Sequence, residues 1–448
     1  MADAIAKLWL LSESNEPSTQ NMGADATSTR GLTELSLVDE APERPLAPPP
    51  LPPLPPAKPV AKILFLDGLR GLAAMMVVCN HAGYFHDHNV GAPAVDTFFV
   101  LSAFLLTLLF EKKARQLVSQ NASLYRWRLA LGDYFARRFL RVYPLFALVA
   151  TVLAVLPGKE RTRSLKMAHP EKYHLLKVLL FFPDSHPHIL WSLPVEISYY
   201  FLIPVFVVVS VRLGKRWWLL AVAGVVVVFV NGVCLWQYRR QHGRKLAHYP
   251  TLLCGSLGAM IFARMDDAIT RSPSFTWTPT RVYALRAIEL FFGVLLLSNL
   301  FDGLLFHYIA KNPLPDTNHF ISFPVTALIV CEMLRPGPLS SVLEWSLLRF
   351  AGKVSFSMYL LHIFVVDADF LTRATFYDRF FLLWTLVFLL STASYHAVEL
   401  PCQQAAARIG KWVKQKDASA AAAADTVPRM VQKATGEEID LEHAAKSF

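Results

Sequence analysis

LDGLRGLAAMMVVCNHAGYF, residues 66–85, is apolar enough to enter a lipid bilayer, yet it carries Asp67, Arg70 and His81. An arginine within a bilayer costs about 2.5–3.5 kcal/mol on insertion scales, so ionisable groups at this depth are typical of a polar pathway or a site. The step from Arg70 to His81 covers about 16 Å of helix, roughly half of a membrane. An anion bound by Arg70 near one interface could therefore extend an elongated molecule towards the His81 imidazole.

The composition also indicates a membrane protein. Of the 448 residues, 54% are hydrophobic and 17% are charged, whereas soluble domains average about 25% charged residues. The net charge of +10 is typical of basic cytosolic loops, and we expect no nucleic-acid partner. The five cysteines have no paired spacing, which predicts buried thiols and neither a disulfide framework nor a metal site.

Three regions follow from the distribution of apolar residues. Residues 1–60 are predicted to be disordered, because ten prolines lie between Pro42 and Pro59 and such runs form polyproline II. This segment is expected to be a solvated spacer, with docking of an SH3-type partner as the weaker alternative. Residues 61–412 form the predicted transmembrane domain. Residues 413–448 are polar and of low complexity, which predicts a flexible tail.

The transmembrane domain is predicted to be all-α, a polytopic bundle of about ten membrane helices. The apolar spans lie near 69–86, 95–110, 143–157, 197–213, 217–236, 250–264, 284–300, 320–334, 355–371 and 379–396. The loop 111–141 carries eight Lys and Arg against two acidic residues, so we expect it to be cytosolic. An even number of spans then places both termini in the cytosol. The sequence does not indicate which membrane is spanned.

His81 is the candidate general base, because a neutral imidazole can take a proton from a hydroxyl and return it to a leaving group. A histidine that is hydrogen-bonded between helices is the alternative. Asp67 lies three residues before Arg70 and is expected to orient or neutralise the guanidinium. Arg137, Arg138 and Arg141 could bind phosphate oxygens, although anchoring to anionic lipid headgroups explains the same charges.

Two further segments carry candidate site residues. HILWSLPVEISYYFLIP contains Trp191, Ser192 and Glu196 beside an apolar span. No GxSxG elbow surrounds Ser192, which makes it a weak nucleophile candidate. AGKVSFSMYLLH, residues 351–362, places Ser355, Tyr359 and His362 on related faces of one helix. These three side chains could either pack between helices or line a substrate site.

Together these segments resemble the membrane acyltransferase-3 family over about residues 62–410. The resemblance is carried by six motifs in order: Leu66-Asp67-Gly68-Leu69-Arg70-Gly71 with His81; Val95-Asp96-Thr97-Phe98-Phe99-Val100-Leu101-Ser102; Tyr134, Arg137, Arg138, Arg141 and Pro144; Trp191-Ser192-Leu193, Glu196, Tyr200 and Pro204; Gly352, Ser355, Tyr359, Leu360 and His362; and Glu399-Leu400-Pro401. The chain departs from the family pattern at Ala103, Tyr199 and Phe356, where Gly, Phe and Tyr are usual.

The resemblance implies an integral-membrane enzyme that moves an acyl group, commonly acetyl, from cytosolic acyl-CoA to a hydroxyl of a carbohydrate, lipid or small molecule. His81 would deprotonate the acceptor, with Glu196, Asp96 or Ser192 positioning groups around it. The CoA phosphates would be held by Arg70, Arg137, Arg138 and Arg141. The side chains expected to line the substrate are Trp191, Ser192, Ser355, Tyr359 and His362. Acyl-CoA is a co-substrate in this scheme, and no bound cofactor or metal is needed.

Two alternatives remain at the level of sequence. A membrane transporter or receptor for acyl-CoA, lipid or a related solute would also need charges within its spans. No internal repeat of the kind that many transporters have is evident. A membrane-bound O-acyltransferase of another fold would also use histidine, but the early Arg–His spacing argues against it.

Overall fold

The computed structural model of the protein describes residues 64–85, 90–165, 173–182, 188–233, 248–300 and 318–445. Within these ranges the fold is all-α, without a strand. The Pro-rich segment 1–60, with its predicted disorder and its SH3-type alternative, lies outside the described residues.

The helices are numbered here in chain order. They are α1 (Leu64–His81), α2 (Gly91–Ser119), α3 (Leu124–Val155), α4 (Gly158–Leu165), α5 (Leu175–Leu179), α6 (Ser192–Leu213), α7 (Trp217–Val233), α8 (Tyr249–Arg271), α9 (Pro279–Leu300), α10 (Asn318–Leu334), α11 (Pro338–Leu343), α12 (Ser346–Lys353), α13 (Ser355–Val366), α14 (Asp369–Thr372), α15 (Phe376–Ser394) and α16 (Leu400–Ala445). Short 3₁₀ turns, His188–Trp191 and Gly214–Arg216, precede α6 and α7.

Helices α2, α6, α8 and α10 run in the same direction through the bundle. Thr107 of α2 bonds to Ser256 of α8 at 2.9 Å, and about two to three turns further on Arg115 bonds to Asp267. The close approach of α8 depends on Gly255, where a Cβ would overlap the Val100 carbonyl oxygen of α2. Small residues permit such contacts between membrane helices. The N-terminal ends of these helices therefore lie at one end of the bundle.

Helix α1 runs antiparallel to α2 and fits against α11 and α12 through glycines. A Cβ at Gly68 would overlap the Leu343 carbonyl oxygen, and one at Gly71 would overlap that of Leu348. Gly352 of α12 meets the Asp67 carbonyl oxygen of α1 in the same way. The two glycines of the LDGLRG motif therefore allow α1 to pack closely against α11 and α12. This packing fixes the position of Arg70.

Two irregularities shape the remaining helices. Helices α12 and α13 form a broken pair bent by 80°, which turns α13 towards the C-terminal end of α1. A π-helical turn, Tyr395–Glu399, joins α15 to α16 and buries Glu399. Glu399 accepts hydrogen bonds from the backbone N–H (3.0 Å) and the hydroxyl of Ser357 on α13. Single π-turns of this kind often occur at functional sites.

Five helical segments in the described part of the chain are long and apolar enough to cross a membrane. They are Gly91–Ser119, Leu124–Val155, Ile189–Val230, Pro279–Leu300 and Phe376–Ala422. The bent pair α12–α13 makes six if it counts as one span. The prediction of about ten spans is not confirmed, because α1 carries Asp67, Arg70 and His81, and because the apolar helix Ile321–Leu334 is short.

Residues 413–448 are predicted to form a flexible tail, and the described part of this segment is helical. Helix α16 continues without a break to Ala445, as its alanine-rich sequence favours. Asp417 of α16 accepts hydrogen bonds from Lys113 (2.7 Å) and Arg126 (2.5 Å). The helix is thus held at the end of the bundle where α2 ends and α3 begins, which we call the basic end.

Candidate active site

His81 ends α1, and its ring lies against the ring of His362 on α13. The two ring centroids are 5.1 Å apart and the planes are inclined by 37°. His362 is fully buried, and its Nδ1 lies 3.1 Å from the Met358 carbonyl oxygen. A carbonyl oxygen can only accept, so Nδ1 of His362 carries the proton in this contact. The structure thus pairs two histidines that the sequence placed in separate motifs.

Tyr359 links this histidine pair to the start of α6. Its hydroxyl lies 2.8 Å from Ser192 Oγ and donates to the Ile189 carbonyl oxygen at 2.9 Å. Its ring lies 6.3 Å from that of His362. Ser192 also donates to the Ile189 carbonyl oxygen, so its hydroxyl serves a hydrogen-bond network.

Ser355 has a local role at the bend between α12 and α13. Its buried hydroxyl donates to the Gly352 carbonyl oxygen at 2.9 Å. Serine at the first turn of a helix commonly makes such backbone contacts. Ser355 therefore supports the bend, whereas His362 of the same stripe contacts the His81 ring and Tyr359 contacts the His362 ring.

Glu196 lies one turn along α6 from Ser192, close to several arginines. Its Oε1 accepts hydrogen bonds from Ser102 (2.5 Å) and Tyr200 (2.6 Å). It also interacts electrostatically with Arg70 and Arg138. Ser102, Arg70 and Arg138 belong to the motifs of α2, α1 and α3, so this carboxylate links three other sequence motifs to its own.

The arginine cluster consists of Arg70, Arg138 and Arg141. Arg70 interacts electrostatically with Arg141 and also contacts Asp67 at 3.4 Å. Arg138 and Arg141 interact with each other, as residues three apart on a helix should. Glu196 and Asp67 face these cations, and Glu399 also interacts electrostatically with Arg141 and Arg70. Guanidinium groups match phosphate oxygens in bidentate geometry, which makes the cluster a candidate anion site.

Arg137 belongs to a different environment from its chain neighbour Arg138. Its Nε donates to Asp133 Oδ1 at 2.7 Å, and its side chain is 4% exposed. It packs under α16, where a Cβ at Gly410 would meet its guanidinium. Consecutive helical residues point about 100° apart. The structure therefore separates Arg137 from the anion site that the sequence predicted for all three arginines of its motif.

Asp96 is fully buried on α2 and pairs with His248 at the start of α8. Asp96 Oδ1 lies 3.3 Å from His248 Nδ1 and 3.5 Å from Thr251 Oγ1. The Trp191 ring packs on the His248 ring with centroids 4.7 Å apart. His248 was missed because it lies in no apolar span and in no motif, and the sequence holds no local signal for it.

These side chains form two layers across the bundle. The histidine layer comprises His81, His362, Tyr359, Ser192, Trp191, His248 and Asp96. The arginine layer comprises Arg70, Arg138, Arg141 and Glu196. The helical rise places Asp96 and Ser102 about 9 Å apart along α2, and Ser192 and Glu196 about 6 Å apart along α6. Among the described residues, no group of three or more His, Cys, Asp or Glu could hold a metal ion.

The chain is similar to known proteins over most of the described bundle. Residues 63–395 match the sequence model of the acyltransferase-3 family, described as an acyltransferase domain. A candidate peptidoglycan O-acetyltransferase of Bacillus subtilis is 26% identical over 364 residues, which cover 75% of this chain and 54% of the relative. A candidate O-acetyltransferase of Staphylococcus aureus is 23% identical over 388 residues, covering 78% and 58%.

A third relative, protein 2 of the picA locus of Rhizobium radiobacter, is 35% identical over 95 residues, covering 21% of this chain and 44% of the relative. The chain therefore spans about half the length of the curated relatives that it matches. No solved structure matches the chain.

Proposed function

The chain belongs to the acyltransferase-3 family, and on this basis we propose that it is an integral-membrane O-acyltransferase. It moves an acyl group, acetyl in the simplest case, from acyl-CoA to a hydroxyl of a carbohydrate, lipid or small-molecule acceptor. The observation that carries this proposal is the pair of layers, with an arginine cluster on one side of a histidine pair.

The arginine layer is the proposed site for the phosphates of the donor. Arg70, Arg138 and Arg141 would bind the CoA phosphates, because guanidinium groups match phosphate oxygens in bidentate geometry. Glu196 holds the cations in place through its charge and its bonds to Ser102 and Tyr200. Arg137 is left out of this site because Asp133 and α16 already engage it.

The histidine layer is the proposed site of chemistry. The acceptor oxygen attacks the thioester carbonyl carbon while His81 takes the hydroxyl proton. The C–S bond then breaks, and the imidazolium returns the proton to the departing sulfur, so that free CoA and an ester result. His362 supports the His81 ring, and Tyr359, Ser192 and Trp191 line the path of the reacting groups.

The sidedness of the reaction follows from the loop charges. The basic end faces the cytosol in this proposal, since residues 111–141, which include the end of α2 and the start of α3, are rich in Lys and Arg. Both termini are then cytosolic, and the donor enters from the side where it is made. The histidine layer lies towards the opposite face, where the acceptor would bind.

The experiment compares membranes that contain the wild type, His81→Ala and His174→Ala, each supplied with acetyl-CoA labelled in the acetyl group. His174 is exposed and is the matched control. We expect CoA release and labelled ester in the wild type and in His174→Ala, and their loss in His81→Ala. If all three proteins bind acetyl-CoA and none consumes it across a broad mixture of acceptors, the transporter or receptor alternative replaces the proposal.

A further inference from the structure

The Asp96–His248 pair has no task in the mechanism above. It lies at the N-terminal ends of α2 and α8, where Asp96 is fully buried and the His248 side chain is 12% exposed. Burying an ionisable pair in a membrane protein is costly unless it is satisfied or used. Such a pair therefore calls for an explanation beyond packing.

Both members of the pair retain hydrogen-bonding capacity. The contact between Asp96 Oδ1 and His248 Nδ1, at 3.3 Å, fixes the proton of a neutral imidazole on Nδ1. Nε2 then offers a lone pair, and within the described ranges it bonds to no other side chain. Asp96 Oδ2 is buried and also lacks a hydrogen-bond partner in the described part of the chain. Native proteins rarely leave such acceptors unsatisfied.

Aromatic rings form a wall beside these acceptors. The rings of Trp191 and Phe99 lie 4.7 Å and 5.5 Å from the His248 ring, measured between centroids. Trp191 directly precedes Ser192, whose hydroxyl meets Tyr359 at 2.8 Å. The Asp96–His248 pair therefore sits at one end of the histidine layer, and His81 sits at the other.

We propose that His248, held by Asp96, binds a second and non-reacting hydroxyl of the acceptor, with the face of Trp191 against the acceptor ring. This inference rests on the proposed acyl transfer. A hydroxyl donates to His248 Nε2, while a flat indole suits the C–H face of a saturated ring. The acceptor therefore carries at least two hydroxyls, one presented to His81 and one bound at His248.

A purely structural pair that joins α2 to α8 is the competing explanation. Loss of a structural pair would lower stability and would affect every acceptor alike. Loss of a binding residue would instead affect only acceptors that carry the second hydroxyl. The ratio of kcat/KM for an acceptor with the second hydroxyl to kcat/KM for one without it distinguishes the two explanations. This ratio does not depend on the amount of folded protein.

The test uses the full chain in lipid nanodiscs with labelled acetyl-CoA and two acceptors. Methyl β-D-glucopyranoside and tetrahydropyran-2-methanol share an oxygen-containing ring and a primary hydroxyl, and the second lacks the ring hydroxyls. We expect the wild type to prefer the glucoside. His248→Asn keeps a donor at the Nδ1 position and should lower kcat/KM for the glucoside about tenfold, the size of one hydrogen bond lost. It should leave the mono-alcohol within about twofold.

His248→Gln places an amide at the Nε2 position and should restore part of the preference. Ser256→Ala is the structural control, because it removes another polar contact between α2 and α8, the 2.9 Å bond to Thr107. It should leave the preference unchanged.

An unchanged preference in His248→Asn would overturn the inference and leave acyl transfer standing. A wild type that uses both acceptors equally, or that acetylates only lipids, would overturn it as well. A wild type that consumes no acetyl-CoA with any acceptor would instead contradict the proposed function itself.

Discussion

Arg137 donates a hydrogen bond to Asp133 at 2.7 Å, one turn earlier on the same helix, and α16 covers the pair. Its chain neighbour Arg138 faces Glu196 and Arg141 instead. Two consecutive arginines of one motif therefore lie in separate environments, the first under the C-terminal helix and the second in the proposed anion site.

Substitution of the two arginines by glutamine should have different consequences. Arg138→Gln should raise the KM for acetyl-CoA about tenfold, because one cation of the proposed phosphate site is lost. Arg137→Gln should leave that KM within about twofold and lower the free energy of unfolding by about 1–3 kcal/mol, because a buried ion pair loses one partner. Steady-state kinetics and thermal unfolding of the purified proteins measure both effects. Equal effects of both substitutions on KM would show that Arg137 also binds the donor.

We expect His362 to support catalysis by holding the His81 ring in its orientation. The two rings are 5.1 Å apart, so removal of the His362 ring frees the His81 imidazole to adopt other orientations. His362→Asn keeps a donor for the Met358 carbonyl oxygen, and we expect kcat to fall at least about tenfold with an unchanged KM for acetyl-CoA. His396→Asn, at an exposed histidine, is the control. A rise in the KM for acetyl-CoA without a change in kcat would place His362 in donor binding.

Part of this site could be predicted because it depends on helix geometry within single segments. The spacing of Arg70 and His81 fixes their separation along α1 whatever the rest of the fold does. Glu196 could be named as a candidate because it lies beside an apolar span, in the segment HILWSLPVEISYYFLIP. The helical pattern also predicted that Arg138 and Arg141 share a face, and the structure places them together.

Other features depend on contacts between distant segments, and the sequence carries no local signal for them. Asp96, which is predicted to position groups around His81, pairs with His248 of α8, 152 residues later in the chain. The count of about ten spans is not confirmed in the described part of the chain, and the sequence carries no signal for the 80° bend between α12 and α13. It also carries no signal for the backbone contacts at Gly68 and Gly352 that hold α1.

The glycine contacts of α1 should be intolerant of a methyl group. Gly68→Ala would place a Cβ against the Leu343 carbonyl oxygen, which is backbone and cannot move aside, so α1 must shift. We expect a loss of about 1–3 kcal/mol in the free energy of unfolding and a loss of activity, since the shift displaces Arg70. Gly132→Ala is the matched control, because nothing lies within 4 Å of its added Cβ and alanine favours helix. Thermal unfolding in nanodiscs compares the two, and equal stability would disprove the tight contact.

Asp417 should hold α16 against the basic end of the bundle. It bonds to Lys113 at 2.7 Å and to Arg126 at 2.5 Å, and both cations lose this partner in Asp417→Ala. The expected result is release of α16, seen as cleavage by trypsin after Lys411, Lys414 and Lys416 at protease concentrations about tenfold lower than for the wild type. High salt should produce the same sensitivity in the wild type by screening the pairs.

Lys416→Ala, at an exposed neighbour, removes a charge and one cleavage position without touching these ion pairs. It should keep the wild-type resistance at the other two lysines. Equal protection of Asp417→Ala and the wild type would show that packing of α16 over Arg137, rather than the ion pairs of Asp417, fixes the helix in place.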